Sequence, residues 1–473
     1  MSVGLAPTAF DPGPWNRLLS ETAQRHHVPG IVAGVVHLDP DTGREQRFVA
    51  STGLTNLNTR VPTDRHTLCQ IGSITKVVTA TMVMQLKDEG RLDLDTKVCE
   101  LLPELTLGSN HGNSITVRHL LTHTSGIDGD LFTDTGRGDD CVERYVACLA
   151  NAQALFAPEA GWSYCNSGFV LLGRIIEVLD ERSWDASLRA RVTEPLGLTR
   201  FVSLPEEVLR HRAAYGHIRY PGAPDWSPAP VAMITRSMGP AGLITSSADD
   251  LLTFGAAFLR RGDTGGGDSL LSAESVAEMT DRHWVLGPAA GHMTPEWGLG
   301  WMRDDWGGHR VFWHGGTTIG QNAWLQVLAD DGLAFVVFCN GGNAPTAAEE
   351  VYAAFATEFA DARASRPPAP SGSASAATCE DHWLGRYSDA STTVIVRRTE
   401  DGAVEAVLHS DRDRTHPEGQ VLSLLPADGT DTFVCRPDEV TPWAALSFTE
   451  VDGQSVAYLG IRALPKRPDE KAT

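Results

Sequence analysis

A serine and a lysine three positions apart are the residues of this chain best suited to chemistry. Only five lysines occur in the 473 residues, and Lys76 alone among them has a serine, Ser73, three positions earlier. Residues i and i+3 share a face of a helix, so the amine and the hydroxyl can come within hydrogen-bonding distance. A buried lysine can give up its proton at neutral pH, whereas an arginine cannot. The pair therefore predicts a nucleophilic serine with a lysine as its general base.

The residues after Ser73 predict the helix that would hold this pair. Apolar side chains recur at helical spacing as far as Leu86, and Gly90 is a suitable C-terminal stop. A helix that begins near Ser73 surrounds the nucleophile with free backbone N–H groups and the positive end of the helix dipole, which stabilise a developing alkoxide. A helix-capping serine followed by a surface lysine is the ordinary alternative, and the tetrapeptide alone does not decide between them.

Two later segments carry further polar groups in glycine-rich surroundings. In the first, Tyr164 and Asn166 form a Tyr-x-Asn sequence before an apolar segment with helical spacing. In the second, an apolar run ends in His314, Gly315 and Gly316. A tyrosine near a lysine can shuttle a proton to a leaving group, and a glycine pair beside a strand lets a substrate approach the backbone closely. Their ordinary alternatives are a loop cap and a turn.

Taken in order, the three segments resemble the signature of the serine beta-lactamases, penicillin-binding DD-peptidases and related esterases. That signature is S-x-x-K, a second motif that contains Tyr or Ser, and K-T-G. The segments 115–126, 239–250 and 297–301 are similar to further landmarks of the family. The resemblance covers roughly residues 15–360 and points to the class C beta-lactamase-like branch. It implies an enzyme that needs no metal or other cofactor.

The resemblance also implies a role for each motif residue. Ser73 would be the acylated nucleophile, and Lys76 would be its activating base. Tyr164 would relay the proton to and from the leaving or entering group, and Asn166 would bind the amide or carbonyl of the substrate. The oxyanion hole would combine the backbone N–H of Ser73 with another from the strand after Gly316.

Motif three departs from the family at its first position. His314 stands where K-T-G has lysine, and Gly315 and Gly316 follow it in the substrate-binding site that the resemblance implies. The family's lysine pairs with a substrate carboxylate, whereas histidine is only partly charged at neutral pH. We therefore expect poor turnover of penicillins. His123 and Ser125 would suit a hydrolase triad, but their segment is structural in this family, so they are left outside the predicted site.

The composition excludes several classes of protein. With 42% hydrophobic residues, a chain of this length can bury a large core and hold more than one domain. A net charge of −21 argues against nucleic acid, anionic membranes and polyanionic substrates. Residues 1–14 lack the pattern of a secretory signal, and no apolar run approaches the ~20 residues of a spanning helix. The eight cysteines lack zinc-type spacing and are predicted to be reduced thiols, so we expect a cytoplasmic protein.

The periodicity predicts the α/β (α+β) class. Segments 31–38 and 45–50 flank a turn and predict one hairpin, and segments 323–328 and 333–340 predict a second. Both ends of this region would form one antiparallel sheet that is covered by terminal helices, with a helical domain inserted between them. The resemblance implies the same beta-lactamase/transpeptidase-like arrangement. The active site would lie where the helix that bears Ser73 meets the strand after His314.

Two further pieces follow the catalytic domain, which we place at residues 1–362. Residues 363–379 are rich in Pro, Ser and Ala and predict a linker. Residues 380–466 predict a small β-barrel, whose opening, residues 383–387, is similar to a lipocalin-like domain often appended to this family. Its role as a lid, a carrier-protein dock or a support stays open. The predicted strands are 392–398, 403–410, 420–425, 432–436, 444–451 and 455–464.

Three functions are open at this point. The first is a biosynthetic acyltransferase or thioesterase that moves an acyl or peptidyl group from an ester or thioester to an amine or alcohol, including peptide cyclisation. Its partners would be the small-molecule or peptidyl donor and a carrier protein. The second is a hydrolase, either a carboxylesterase, a D-amino-acid peptidase or a weak beta-lactamase. The third, a binding protein without activity, is disfavoured because Ser73, Lys76 and Tyr164 are all present. The appended barrel and the missing export signal favour the acyltransferase.

Overall fold

The structure is a computed structural model that describes residues 10–108, 112–129, 131–220, 223, 225–286, 294–364, 368–371, 379–410, 418–428, 431–438 and 441–468. The helices are α1 (Pro12–Arg25), α2 (Thr75–Asp88), α3 (Val98–Leu101), α4 (Val117–Leu121), α5 (Cys141–Cys148), α6 (Asn166–Asp180), α7 (Trp184–Leu188), α8 (Pro205–Val208), α9 (Gly239–Gly242), α10 (Ala248–Leu259), α11 (Ala273–Thr280) and α12 (Ala344–Ala360).

The strands of the catalytic region are β1 (Gly30–Leu38), β2 (Glu45–Gly53), β3 (Cys69–Gln70), β4 (Phe201–Val202), β5 (His217–Ile218), β6 (Ser227–Pro228), β7 (Thr245–Ser246), β8 (Trp284–Val285), β9 (Glu296–Trp297), β10 (Met302–Asp305), β11 (Arg310–Thr317), β12 (Asn322–Leu328) and β13 (Leu333–Cys339). Those of the C-terminal region are β14 (Gly385–Ser388), β15 (Thr392–Arg398), β16 (Val404–Ser410), β17 (Gln420–Ser423), β18 (Leu425–Pro426), β19 (Thr432–Cys435), β20 (Ala444–Val451), β21 (Gln454–Leu459) and β22 (Arg462–Arg467).

The central sheet joins the two ends of the catalytic region. Its eight strands run in the order β2-β1-β13-β12-β11-β10-β9-β8, and each neighbouring pair is antiparallel. The two predicted hairpins are confirmed as β1–β2 and β12–β13. Strand β1 pairs with β13 so that Ile31 lies opposite Cys339. Because β12 pairs with both β13 and β11, this pairing also fixes the place of β11 in the sheet.

Helices cover both faces of this sheet. On one face, α1 and α12 pack an aromatic group that includes Trp15, Phe48, Phe355 and Phe359. On the other face lies the larger core, to which α2, α6 and α10 contribute. Helix α2 is buried along most of its length, including Lys76. No described helix has the length and hydropathy that would let it cross a membrane.

The C-terminal region is the predicted small β-barrel. Its nine strands have the order β17-β16-β15-β14-β22-β21-β20-β19-β18, and the two edge strands are consecutive in the chain, so the sheet is nearly closed. Trp383, Tyr387 and Phe433 pack around Phe448 in its interior. Much of the predicted linker lies outside the described residues, and the domain boundaries stay a prediction.

Two strand predictions in the barrel are wrong. Residues 420–425 are divided between β17 and β18, which lie at opposite edges of the sheet. Residues 455–464 are predicted as one strand, but they form the hairpin β21–β22. Its turn is made by Gly460, which has φ +59°, and Ile461. The apolar pattern continues through this turn because Ile461 is itself apolar, so the pattern carried no sign of a reversal.

Candidate active site

The nucleophile prediction falls on a short turn that leads into α2. Ser73 lies in the 3₁₀ turn Gly72–Ile74, and the α-helix begins two residues after Ser73. Lys76 Nζ lies 3.1 Å from Ser73 Oγ and donates a second hydrogen bond of 2.6 Å to the main-chain oxygen of Ala241. Lys76 is fully buried whereas Ser73 is half-buried. Ser73 is thus partly accessible to solvent, and the amine of Lys76 is protected from it.

Strand β11 touches the Ser73 turn through bare backbone. A β-carbon at Gly72 would lie 2.7 Å from the main-chain nitrogen of Thr317, and one at Gly316 would lie 2.8 Å from that of Ser73. His314, Gly315 and Gly316 therefore lie inside a strand, and the site is at this strand, not at one that follows His314. The main-chain nitrogens of Ser73 and Thr317 thus belong to the two backbone segments that meet here, and an oxyanion hole is built from two such N–H groups.

Tyr164 and Asn166 are presented by the start of α6. Helix α6 begins at Asn166, and Cys165 caps it by accepting a hydrogen bond of 3.3 Å from Gly168 N at its Sγ. Helix α6 packs against α2, so Tyr164 comes to Lys76, whose Nζ lies 4.9 Å from the centre of the tyrosine ring. Tyr164 and Asn166 are both buried. The first two motifs therefore meet at Lys76.

His314 is a neutral imidazole in this structure. It is fully buried, and burial together with the Lys76 charge lowers its pKa to about 3. Its Nδ1 lies 2.6 Å from the main-chain oxygen of Gly315, which can only accept, so Nδ1 carries the proton. Nε2 has no hydrogen-bond partner among the residues that the structure describes. The expectation of a partly charged histidine is wrong, because the sequence did not reveal complete burial.

Two buried rings that were left outside the predicted site contact Tyr164. The His123 ring lies 4.3 Å from the Tyr164 ring, and its Nδ1 accepts a hydrogen bond of 3.0 Å from Cys165 N. Burial, and then the Lys76 charge, lower the pKa of His123 well below its ordinary value. Trp297 packs 4.8 Å from His123. Both rings lie in segments that are similar to family landmarks, and this similarity is the sequence feature that could have pointed to them.

The C-terminal barrel forms part of this site, which no local motif indicated. The end of β21, the turn and the start of β22 lie against the segment that carries Tyr164, and Arg462 Cζ lies 5.1 Å from the centre of the Tyr164 ring. The hydrogen bonds between the two segments are Tyr458 Oη to Trp162 O (2.7 Å), Tyr164 N to Ile461 O (3.1 Å), Ala463 N to Ser163 Oγ (3.2 Å) and Arg462 Nη1 to Tyr164 O.

The structure brings most of the predicted site residues into one cluster. Pairwise contacts link Ser73 to Lys76, Lys76 to Tyr164 and Tyr164 to His314, and Gly316 lies against the Ser73 turn. A β-carbon at Gly315 would face Trp324 at 3.5 Å, and Asn166 is buried at the start of α6. Within the described part of the chain, no cluster of three His, Cys, Asp or Glu side chains is placed to hold a metal ion. The cluster can perform nucleophilic attack with proton transfer through a lysine and a tyrosine.

Comparison with known proteins agrees with this geometry. The Beta-lactamase family model matches residues 15–358. Penicillin-binding protein 4 of Amycolatopsis lactamdurans is 38% identical over 358 residues, which are 75% of this chain and 92% of that protein.

Two solved structures extend the comparison. The crystal structure of SurE with D-Leu has a TM-score of 0.74 and 27% identity, and the match covers 96% of this chain and 98% of that one. A D-stereospecific amidohydrolase from a Streptomyces species has a TM-score of 0.58 and 28% identity over 74% of this chain and 99% of that one. The family prediction is confirmed, and the chain belongs to the Beta-lactamase family of serine hydrolases and acyl transferases.

Proposed function

We propose that Ser73 is acylated by an ester or thioester and that the acyl or peptidyl group is then transferred to an amine or alcohol. The observation that carries this proposal is the 3.1 Å contact between Ser73 Oγ and the fully buried Lys76 Nζ. Tyr164, 4.9 Å from the same amine, supports a second proton carrier in the site. A thioester donor would come from a carrier protein, whose binding we propose as part of the function.

The steps follow from the positions of these groups. Ser73 Oγ attacks the carbonyl carbon of the donor while the neutral amine of Lys76 takes its proton. The oxyanion is held by main-chain N–H groups beside Gly316, and Tyr164 passes a proton to the departing oxygen or sulfur. In the second half-reaction the acceptor attacks the acyl-enzyme and gives its proton to Tyr164. Ser73 Oγ is then released and recovers its proton from Lys76, so the groups return to their starting states.

The acyl group that we propose is a D-configured aminoacyl or peptidyl residue. Two similar structures support this choice, because SurE was crystallised with D-Leu and the Streptomyces enzyme is named as D-stereospecific. Asn166, at the start of α6, would hold the amide or carbonyl next to the scissile bond. The neutral state of His314 supports donors that have no carboxylate beside the reacting carbonyl.

Hydrolysis is the second candidate, and the similarity to an amidohydrolase favours it. Both functions share the acyl-enzyme and differ in whether water or another nucleophile attacks it. Tyr164 is 5% exposed and Lys76 is fully buried, so the groups that carry protons in the second half-reaction lie away from bulk water. This burial favours a bound acceptor over free water, since exclusion of water suppresses competing hydrolysis.

Two measurements test the proposal. Intact mass after treatment with a fluorophosphonate should show one adduct, which is absent in Ser73→Ala and retained in Ser125→Ala, a change at a buried serine close in sequence to His123. A D-aminoacyl thioester supplied with increasing amine should then give amide at acceptor concentrations far below that of water, because a bound nucleophile has a high effective molarity. If free acid is the sole product with every acceptor, the function is hydrolysis and not transfer. An adduct in Ser73→Ala would contradict the assignment of Ser73 as the nucleophile.

A further inference from the structure

We infer that Arg462 of the C-terminal barrel is a positioning residue for Tyr164, which holds the tyrosine's main chain and keeps a permanent positive charge beside its ring. The inference rests on the function proposed above, because it concerns the group that relays the proton. It assigns to the barrel a part in the chemistry of the catalytic region.

Two contacts of Arg462 reach the same residue. The guanidinium donates a hydrogen bond to the main-chain oxygen of Tyr164, and its Cζ lies 5.1 Å from the centre of the tyrosine ring. Because Arg462 is the first residue of β22, its backbone is set by the pairing with Leu459 of β21. The hydrogen bonds of Ile461 and Ala463 to the tyrosine segment hold the hairpin in place on either side.

An apolar cluster attaches the hairpin to the site. Tyr458 is 5% exposed and Ala463 is fully buried, although both belong to a barrel whose own core lies elsewhere. A β-carbon at Gly161 would lie 3.0 Å from Val451 Cγ1, so the two segments are tightly packed at this part of the interface. The members of the cluster are Leu155, Phe156, Trp162, Tyr164, Leu286, Trp297, Met302, Val451, Val456, Tyr458 and Ala463.

Arg462 supplies the charge that does not change during the reaction. In the described part of the chain, the titratable and charged groups with ring or cation contacts to Tyr164 include Lys76 on α2, His123 after α4, His314 on β11 and Arg462 on β22. Burial lowers the pKa of both imidazoles, so they are neutral at pH 7. Lys76 alternates between amine and ammonium if it acts as the base. The guanidinium stays charged throughout, and a nearby cation stabilises a phenolate when Tyr164 gives up its proton.

The experiment compares variants that separate charge from attachment. Arg462→Met removes the cation and the hydrogen bond at similar length, and Arg462→Lys restores a cation. Tyr458→Phe removes one hydrogen bond of the same interface without changing any charge. Lys466→Met is the control for a barrel cation, since Lys466 lies on β22 as well, 5.8 Å from the Tyr387 ring inside the barrel.

Two readouts are measured for each variant. The first is kcat/KM for p-nitrophenyl acetate between pH 5 and 10. The second does not depend on activity: the protein is labelled with ¹³C at tyrosine Cζ, and the resonance that is missing from Tyr164→Phe is titrated. With seven tyrosines in the chain, that resonance can be identified by difference.

We expect Arg462→Met to lower kcat/KM at pH 7 by about 10- to 100-fold and to raise the midpoint of the Tyr164 titration by about one pH unit. Arg462→Lys should fall between this variant and the parent, while Tyr458→Phe and Lys466→Met should keep the parent midpoint. A parent-like midpoint in Arg462→Met, or an equal shift in Tyr458→Phe, overturns the inference. Failure of the proposed function is separate, because it appears as an adduct that persists in Ser73→Ala.

Discussion

Gly316 lies directly against the turn that carries Ser73, since a β-carbon at this position would be 1.8 Å from the main-chain oxygen of Ile71 and 2.8 Å from Ser73 N. Contact this close requires the absence of a side chain. Gly316, the second glycine of motif three, therefore allows β11 to approach the Ser73 turn this closely. Gly315 has no such role, because its nearest neighbour would be Trp324 Cδ1 at 3.5 Å, which is an ordinary contact.

Gly316→Ala should separate the strand from the Ser73 turn. We expect the rate of acylation by a fluorophosphonate to fall by about 100-fold or more, which is the usual effect of losing one oxyanion-hole donor. Gly315→Ala is the adjacent control, and its rate should stay within about threefold of the parent, a change of less than ~1 kcal/mol in the barrier. Stopped-flow measurement of acylation in both variants checks this, and equal rates in the two would contradict the contact.

Lys76→Arg should be nearly as inactive as Lys76→Ala. Arginine keeps the positive charge but cannot accept the proton of Ser73 at neutral pH, so turnover should fall by several orders of magnitude in both variants. Lys87→Arg is the control on the same helix, because Lys87 makes an ion pair of 2.9 Å with Glu278 near the surface. A folded Lys76→Arg variant with near-parent turnover would mean that only charge is needed.

The buried histidines predict how stability depends on pH. The pKa of His314 is lowered from 6.5 to about 3, so the unfolded chain binds a proton below pH 6.5 that the folded chain does not. The contribution of neutral His314 to the free energy of unfolding is fully present above pH 6.5 and is lost as the pH falls from 6.5 towards 3. Between pH 7 and pH 5 the loss is about 2 kcal/mol for one such group.

Urea unfolding of His314→Gln and of the parent at pH 7 and pH 5 measures the contribution of His314 to the free energy of unfolding. The decrease in unfolding free energy between pH 7 and pH 5 should be smaller in His314→Gln than in the parent by about 2 kcal/mol. His66→Gln removes one imidazole from an exposed position and serves as the control. If both variants lose the same stability as the parent between these pH values, His314 is not held neutral in the folded protein.

Penicillins and cephalosporins should be poor substrates compared with short activated esters. A neutral His314 offers no permanent cation to their carboxylate, whereas p-nitrophenyl butyrate has no carboxylate to bind. The ratio of kcat/KM for the ester to that for nitrocefin checks this. Cephalosporin hydrolysis with kcat/KM near ~10⁶ M⁻¹s⁻¹ would be in the upper range of ordinary enzymes and would require another residue to bind the carboxylate.

Contacts between residues that are close together in the chain could be predicted from the sequence. Ser73 and Lys76 come together because three residues are about one turn of a helix, and their 3.1 Å contact needs little beyond that turn. The two hairpins of the central sheet follow from turn residues between apolar segments for the same local reason. The spaced short strands predict the barrel, but the pattern does not show the break between β17 and β18 or the turn at Gly460.

The tertiary structure decided the charge and surroundings of the site. His314 is an ordinary histidine in the sequence, and only its complete burial near Lys76 makes it neutral. Arg462 is 298 residues from Tyr164 in the chain, and no spacing rule connects them. Their contact exists because the barrel packs its β21–β22 hairpin on the start of α6. Burial and long-range packing are properties of the whole fold, so these two determinants became visible only in three dimensions.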